Sequence, residues 1–270
     1  MAPVAYAALV DMASQLADPA YLRFQYADDQ KLRVRIETHA RYSENPQPLV
    51  EWVLMLLDAR PGDRVLDVGS GPGQYHDRLR SQRVVAIDSS AGMLAKVAVP
   101  AVRADAQQLP FRDASFDRVM ANHVLYHVRD MTQALREIRR VAQAGARVVI
   151  ATNSRSTMQP LFALTDAAAA ETGVEGGQTV ALRFGIEDTE LVHDVFPEAR
   201  LAVYEDAFSF PSPEPVLAYV ASMWIDHIDP ARRVAFLASL ERRVRHVIKR
   251  EGALRVPKRS GCFVADVADR

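Results

Sequence analysis

The run Val65-Leu66-Asp67-Val68-Gly69-Ser70-Gly71-Pro72-Gly73 constrains this chain more than any other. A short apolar strand leads straight into glycines at alternate positions, ahead of an expected helix. Glycine has no Cβ, so it turns without steric penalty and lets the backbone approach a ligand closely. In an open α/β sheet such a turn lies at the carboxyl edge of the strands, where ligands bind. The nucleotide fingerprint G-x-G-x-x-G needs a glycine at 74, where this chain has Gln74. A pyrophosphate cradle, and with it a dinucleotide oxidoreductase, is therefore disfavoured. Asp67 argues the same way, because a carboxylate opposes phosphates and favours a cation.

The rest of the chain supplies the sheet. Segments 64–69, 83–88, 99–104, 116–121 and 147–152 read as short strands separated by helix-like stretches. The clearest helix is 131–142, where Ala134, Leu135, Ile138 and Val141 fall at helical spacing. Strand-helix alternation with short connections implies right-handed crossovers and a parallel sheet covered on both faces. Residues 1–60 read as a helical N-terminal arm, with a buried helix at 49–57 closed by Arg60-Pro61-Gly62. Past Thr152 an Ala- and Gly-rich stretch with Gly173, Gly176 and Gly177 predicts a lid over about 153–185. A helix near 187–196, a strand near 200–208, a helical cap over about 213–251 and a last strand near 262–267 complete the pattern.

Composition narrows the class. With 49% hydrophobic and 25% charged residues over 270, the chain has ordinary globular usage and length for one α/β unit plus embellishment. The single cysteine, Cys262, excludes an intrachain disulfide framework and Cys-rich zinc sites, and suits a reducing compartment. No apolar run reaches the ~20 residues of a membrane span, and no basic residue precedes Arg23 to begin a signal peptide. The expectation is a cytoplasmic protein with no membrane partner. Only Lys31, Lys96, Lys249 and Lys258 are lysines among 33 basic residues, a bias of high-GC bacterial genomes.

Two further carboxylates follow the glycine turn. Asp88 ends Val84-Val85-Ala86-Ile87-Asp88, where an acid can accept from both hydroxyls of a ribose. Asp105, in Arg103-Ala104-Asp105-Ala106, is placed to accept from the amino edge of an adenine. Acids at successive strand ends, with no basic residue in the turn, describe a pocket for a nucleoside carrying positive charge.

On these residues, with Asp88-Ser89-Ser90 leading to Met93-Leu94, Leu109-Pro110-Phe111 after Asp105, and Phe116-Asp117 leading to Asn122-His123-Val124-Leu125-Tyr126-His127, the chain resembles the class I S-adenosylmethionine-dependent methyltransferases. The matching run covers about residues 62–152, and beyond it only the order of strands and helices is similar. The resemblance implies a Rossmann-like, doubly wound, seven-stranded α/β sheet, mostly parallel with a reversed last strand. It implies S-adenosyl-L-methionine as cofactor. Gly69, Gly71 and Gly73 would back the cofactor, with Ser70 where many relatives have Cys; Asp67 would sit near its amino-acid end and Asp88 at its ribose. Asp105 and Ala106 would frame the adenine, Ser89 and Met93 would pack beside the adenosine, and Asn122 would close the site. Class members commonly close an N-terminal arm over the cofactor, so Arg41 or Tyr42 would meet the methionine carboxylate or the acceptor, with a solvated helix face as the alternative; His39 is similarly placed.

Candidates for chemistry beyond cofactor binding are His123, Tyr126 and His127. On a helix, the four-residue spacing of the two histidines puts both imidazoles on one face. They read as a general base for the acceptor, as ring donors that orient the loop, or as a metal pair; no third ligand at a telling spacing supports a metal. Met158, Phe162, Phe184, Phe208, Phe210, Tyr219, Met223 and Trp224 are lid candidates for a dry, aromatic-lined pocket, although helical spacing makes most of them core.

Segment 231–260 holds ten Arg or Lys against Glu241 and Glu251, +8 within a chain of net charge −1. It reads as a basic solvated face, or as a site for an anionic substrate or RNA backbone. Ala121-Asn122-His123-Val124 lacks the Asn/Asp-Pro-Pro-aromatic loop used on exocyclic amino groups, and Cys262 lies in the expected last strand, away from the cofactor edge, so nucleic acid is disfavoured. The expected function is methyl transfer to a nitrogen or oxygen of a small metabolite in biosynthesis or specialised metabolism, by a monomer or homodimer. The alternatives are an RNA methyltransferase using 231–260 and a non-catalytic cofactor-binding partner subunit.

Overall fold

The computed structural model describes residues 17, 18, 22, 24–174, 183–223, 225 and 228–268. Trp224, Gly176 and Gly177, named above for the lid and cap, lie outside them. Helices α1 (Gln30–Tyr42) and α2 (Leu49–Leu57) precede strands β1 (Arg64–Val68) and β2 (Arg83–Asp88). Helix α3 (Ala91–Leu94), β3 (Ala101–Arg103), β4 (Phe116–Asn122), α4 (Met131–Val141) and β5 (Ala142–Asn153) follow. Then come α5 (Gln159–Thr172), α6 (Thr189–His193), β6 (Arg200–Phe210), α7 (Pro213–Ala221), α8 (Pro230–Glu251) and β7 (Leu254–Asp266).

The strands form one sheet in the order β3-β2-β1-β4-β5-β7-β6, parallel through β5, with β7 antiparallel to both neighbours. This is the Rossmann-like α/β sheet with a reversed last strand. The order reverses at β1, whose Val68 pairs Ile87 on one side and Ala121 on the other. Gly69, Asp88 and Asn122 each follow those residues, so they emerge level at the carboxyl edge, the switch point where α/β sheets bind ligands.

Side-chain alternation sorts the core. Leu66, Val68, Val119, Val148 and Ile150 point to one face, under Ala134, Leu135, Ile138 and Val141 of α4. Each large apolar side chain so buried contributes roughly 1.5–3 kcal/mol. Val65, Met120, Val149 and Cys262 point to the other face, under Trp52, Val53 and Leu57 of α2. A third cluster lies beyond the sheet. β7 pairs β5 only from Ser260 onward, but pairs β6 from Leu254. The overhanging hairpin carries Phe208, Phe210, Leu254 and Val256 out beneath α5, α7 and α8, making a helical cap with its own core.

Several local expectations change. The glycine turn leads into a single 3-10 turn, His76–Arg78, and not into an α-helix; glycines with positive φ at 71 and 73 around Pro72 keep the backbone out of the right-handed helical region. β3 starts only after Pro100, which has no N–H for the ladder. The helical stretch 213–251 breaks into α7 and α8, the latter restarted by Pro230 with the Asp229 side chain accepting from the N–H groups of Ala231 and Arg232. β7 is longer than expected, beginning eight residues before Cys262. Phe184, a lid candidate, is fully buried beside Phe263 in the sheet core.

The basic segment is largely neutralised by acids distant in sequence. Arg242 and Arg243 pair with Glu171, Arg255 with Glu44, Arg259 with Glu205, Lys258 with Asp206, and Arg245 with Glu214 as well as with Glu241 of its own helix. Tertiary pairing therefore dissolves the +8 run as a continuous basic face. Among the described residues no helix is long and apolar enough to cross a membrane.

Candidate functional site

A cavity of about 1710 Å³ opens at the carboxyl edge, between the glycine turn, α1, the loop after β4 and the cap. Sites for one small ligand usually span about 300–1,000 Å³, so this one has room for two.

One wall is the glycine turn. Gly69, Gly71 and Gly73 all have positive φ, but their surroundings differ. A Cβ on Gly69 would fall 2.3 Å from Val124 Cγ2, and one on Gly73 would fall 2.5 Å from Nδ1 of His76. Gly71 alone is open, with Leu32 of α1 at 3.5 Å. Gly69, Ser70 and Gly71 line the cavity; Gly73, expected to back a ligand, does not, and serves to admit the His76 ring.

The strand-end acids sit on the same wall. Asp88 accepts from the N–H of Gly71 at 2.9 Å and of Ser90 at 2.8 Å, tying the turn to the end of β2. Burial pushes its carboxyl up, and those backbone bonds hold it down. A carboxylate has about four acceptor sites, so Asp88 keeps capacity for ligand hydroxyls. Asp105 also lines the cavity, held by the N–H and side-chain amide of Gln107, beside buried Ala106. Ser89 and buried Met93 complete this half. Asp67 is buried with its Oδ2 2.9 Å from Nε2 of His76; desolvation raises its pKa and the His76 hydrogen bond opposes this.

Above this wall, Asn122 and the loop after β4 face the arm. Asn122 is 8% exposed, and neither its Oδ1 nor its Nδ2 has a hydrogen-bond partner. His123 adopts φ +56 and His127 ends a 3-10 turn, so the two imidazoles do not share a helix face. His123 is enclosed, and burial pulls its pKa to about 4, so its ring is neutral at pH 7. Burial drives the Tyr126 phenol well up, so it is also neutral. His127 Nε2 meets the Tyr26 hydroxyl at 2.9 Å, joining the arm to this loop. Arg183 donates to the carbonyls of Tyr126 and Val128 from the other side. Close fit of the arm also depends on Gly92, where a Cβ would fall 1.9 Å from the Ala27 carbonyl oxygen.

The cap half is lined by Met158, Phe162, Tyr219 and Met223, while Phe208 and Phe210 are core. Tyr42 packs on Phe210 with centroids 5.2 Å apart and does not line the cavity; Arg41 is exposed. From the arm, Arg35 and His39 reach the cavity instead. Their four-residue spacing on a helix was the available signal. Nothing in the local sequence marks Lys258, which meets His39 from β7, or Asp206, which pairs with that lysine from β6. No group of three or more His, Cys, Asp or Glu among the described residues is arranged to hold a metal. Cys262 is fully buried and its thiol is pushed up by desolvation, which leaves it no thiolate chemistry.

Residues 66–150 match the family described as a methyltransferase domain. The chain is 38% identical over 117 residues to a demethylmenaquinone methyltransferase of Thermobifida fusca, covering 39% of this chain and 50% of that protein. It is 36% identical over 118 residues to a malonyl-[acyl-carrier protein] O-methyltransferase of Erwinia pyrifoliae, covering 40% and 45%. The match thus spans about half the length of these curated relatives. In fold it is similar to a phosphoethanolamine N-methyltransferase of Haemonchus contortus, with TM-score 0.54 and 14% identity over 94% of this chain and 60% of that one. The YcgJ protein of Bacillus subtilis is similar at TM-score 0.54 and 13% identity, over 82% and 98%.

Proposed function

We propose, from the match of residues 66–150 to a methyltransferase domain, that the chain moves a methyl group from S-adenosylmethionine to a nitrogen or oxygen of a small metabolite. The observation that carries this reading is a set of unsatisfied polar groups around one cavity. Arg35 and Asn122 line it, and each has buried polar atoms with no hydrogen-bond partner. Native interiors rarely tolerate such atoms, so their concentration at a switch-point cavity marks ligand positions.

The residues present fit the cofactor. Asp88 would accept from the ribose hydroxyls, Asp105 and Ala106 would frame the adenine, and Ser89 and Met93 would pack beside the adenosine. Gly69, Ser70 and Gly71 would back it, with Asn122 and Asp67 toward its amino-acid end. When bound, S-adenosylmethionine supplies a methyl group on a sulfonium, which a nucleophile displaces. The protein's part is alignment and exclusion of water. α1 and the cap close the cavity, and the Tyr26–His127 bond holds the arm in place. An amine acceptor presented as its free base needs orientation alone. A hydroxyl asks for a proton acceptor, and His123, kept neutral by burial, and His127 are imidazoles on the cavity wall beside the loop after β4.

A small acceptor is supported by the enclosed cap half and by the paired state of segment 231–260, which leaves RNA without a continuous basic track. The test is calorimetry with S-adenosylhomocysteine, followed by transfer of labelled methyl from S-adenosylmethionine into an extract split into small-molecule, RNA and protein fractions. Micromolar binding and label in small molecules are expected. Label in RNA alone would overturn the acceptor class, and binding without transfer to any fraction would leave a cofactor-binding subunit.

A further inference from the structure

Helix α1 runs from the glycine turn toward the cap. Leu32 stands over Gly71, and His39 lies against Phe208 and near Tyr219, with ring centroids 4.7 and 6.2 Å away. Between them is Arg35, on the same helix face as His39 four residues on. Its Nε and Nη2 are buried without hydrogen-bond partners, and its contact with the Tyr26 ring is a loose 5.9 Å to the centroid. Buried guanidinium N–H groups lacking an acceptor are costly.

The carboxylates around the same cavity are engaged elsewhere. Asp67 holds His76, Asp88 the backbone of Gly71 and Ser90, Asp105 the Gln107 amide, Asp206 Lys258, and Asp229 the start of α8. Among the described residues, none accepts from Nε or Nη2 of Arg35, which leaves both free for a ligand.

Lys258 fixes what His39 contributes. Its Nζ, 6% exposed, lies 2.6 Å from Asp206 Oδ2, 2.7 Å from Ser43 Oγ and 3.1 Å from His39 Nδ1. An ammonium has three N–H donors and no lone pair. It donates to all three, so Nδ1 of His39 is an acceptor and the ring proton sits on Nε2. Burial, then the neighbouring Lys258, pull the His39 pKa to about 3, so the ring stays neutral. His39 is thereby held as a hydrogen-bond donor, and no described residue accepts from its Nε2.

We propose that Arg35 and His39 form a subsite for a carboxylate group of the methyl acceptor, with Lys258 and Asp206 as positioning residues that hold His39 in its donor tautomer. The subsite rests on the methyl-transfer reading, and it adds that the acceptor is an acid. Its place beside Tyr219 and Phe208, beyond the glycine turn, puts it on the acceptor side of the cavity.

The test uses the full chain saturated with S-adenosylhomocysteine and matched probes, benzoate with benzamide and phenylacetate with phenylacetamide. Ligand-observed NMR should show each acid binding roughly tenfold tighter than its amide, the scale of a charge-assisted hydrogen bond. Arg35→Gln should abolish that preference, Arg35→Lys should retain part of it, and His39→Ala should reduce it severalfold. All three should leave affinity for S-adenosylhomocysteine within about twofold. In 15N spectra the His39 ring should show the Nε2–H tautomer, and Lys258→Met should mix the tautomers. No acid preference in the wild-type protein overturns the proposal. So does a loss of S-adenosylhomocysteine affinity in Arg35→Gln as large as the loss of probe binding, which would assign Arg35 to the cofactor carboxylate. Failure of the wild-type protein to bind S-adenosylhomocysteine is a separate result, against the cofactor reading.

Discussion

The Tyr26 hydroxyl lies 2.9 Å from Nε2 of His127, with the two rings edge to face at 5.3 Å. One residue belongs to the arm and the other to the loop after β4, so this contact latches the arm across the cavity. Tyr26→Phe and His127→Ala should each weaken S-adenosylhomocysteine binding severalfold, and the double variant should be little worse than either single one, as coupled residues behave. Calorimetry on the four proteins tests this. A fall in kcat for His127→Ala with binding unchanged would instead identify His127 as a general base.

Asp88 carries two backbone N–H bonds besides its proposed ligand contacts. Asp88→Ala should cost about 1–3 kcal/mol of cofactor affinity, because it strands ribose hydroxyls and the Gly71 and Ser90 amides together. Unchanged affinity by calorimetry would refute the ribose assignment.

Gly69 combines φ +69 with a Cβ position 2.3 Å from Val124. Gly69→Ala should destabilise the fold by roughly 1–3 kcal/mol through strain and overpacking. Adding Val124→Ala should recover only the packing part, since the backbone angle is unaffected. Complete recovery in denaturant titrations would show that φ at this position carries no cost.

Asp206 and Lys258 form an almost fully buried ion pair, 3% and 6% exposed at their side chains. Burial pushes the Asp206 carboxyl up, but the Lys258 hydrogen bond, the Asn45 N–H and the lysine charge together bring it below its ordinary value. A depressed folded-state pKa contributes stability that is present above the unfolded value, near 4, and is lost as pH falls through the folded one. Wild-type stability should therefore drop below about pH 4, and Asp206→Asn should flatten part of that slope. At neutral pH the same variant should lose about 3–5 kcal/mol, because it leaves the Lys258 charge buried and uncompensated. A variant as stable as wild type at pH 7 would mean that Lys258 is neutral in the fold.

The cavity wall built by the strand ends was legible because local sequence encodes it. A strand of known side-chain alternation followed by glycines specifies a turn, and the residue ending each neighbouring strand must emerge at the same edge. Asp88 and Asp105 are read that way, whereas Asn122 comes from the family resemblance. The same logic failed at Gly73, whose reason is the His76 ring, and Tyr42, offered by the family resemblance, faces the cap core and not the cavity. His123 and His127 were placed on one helix by spacing, whereas a positive φ at His123 separates them.

The sequence by itself determined the α/β alternation, the glycine turn, the acids at the strand ends and the buried stripe of α4, since each depends on periodicity or on the conformational limits of single residues. Tertiary structure alone decided what the charges do. It spread the basic segment across Glu44, Glu171, Glu205 and Asp206, and it brought Lys258 to His39 across more than two hundred residues of chain. A charge's effect depends on distance and burial, and neither quantity is written in the local order of residues.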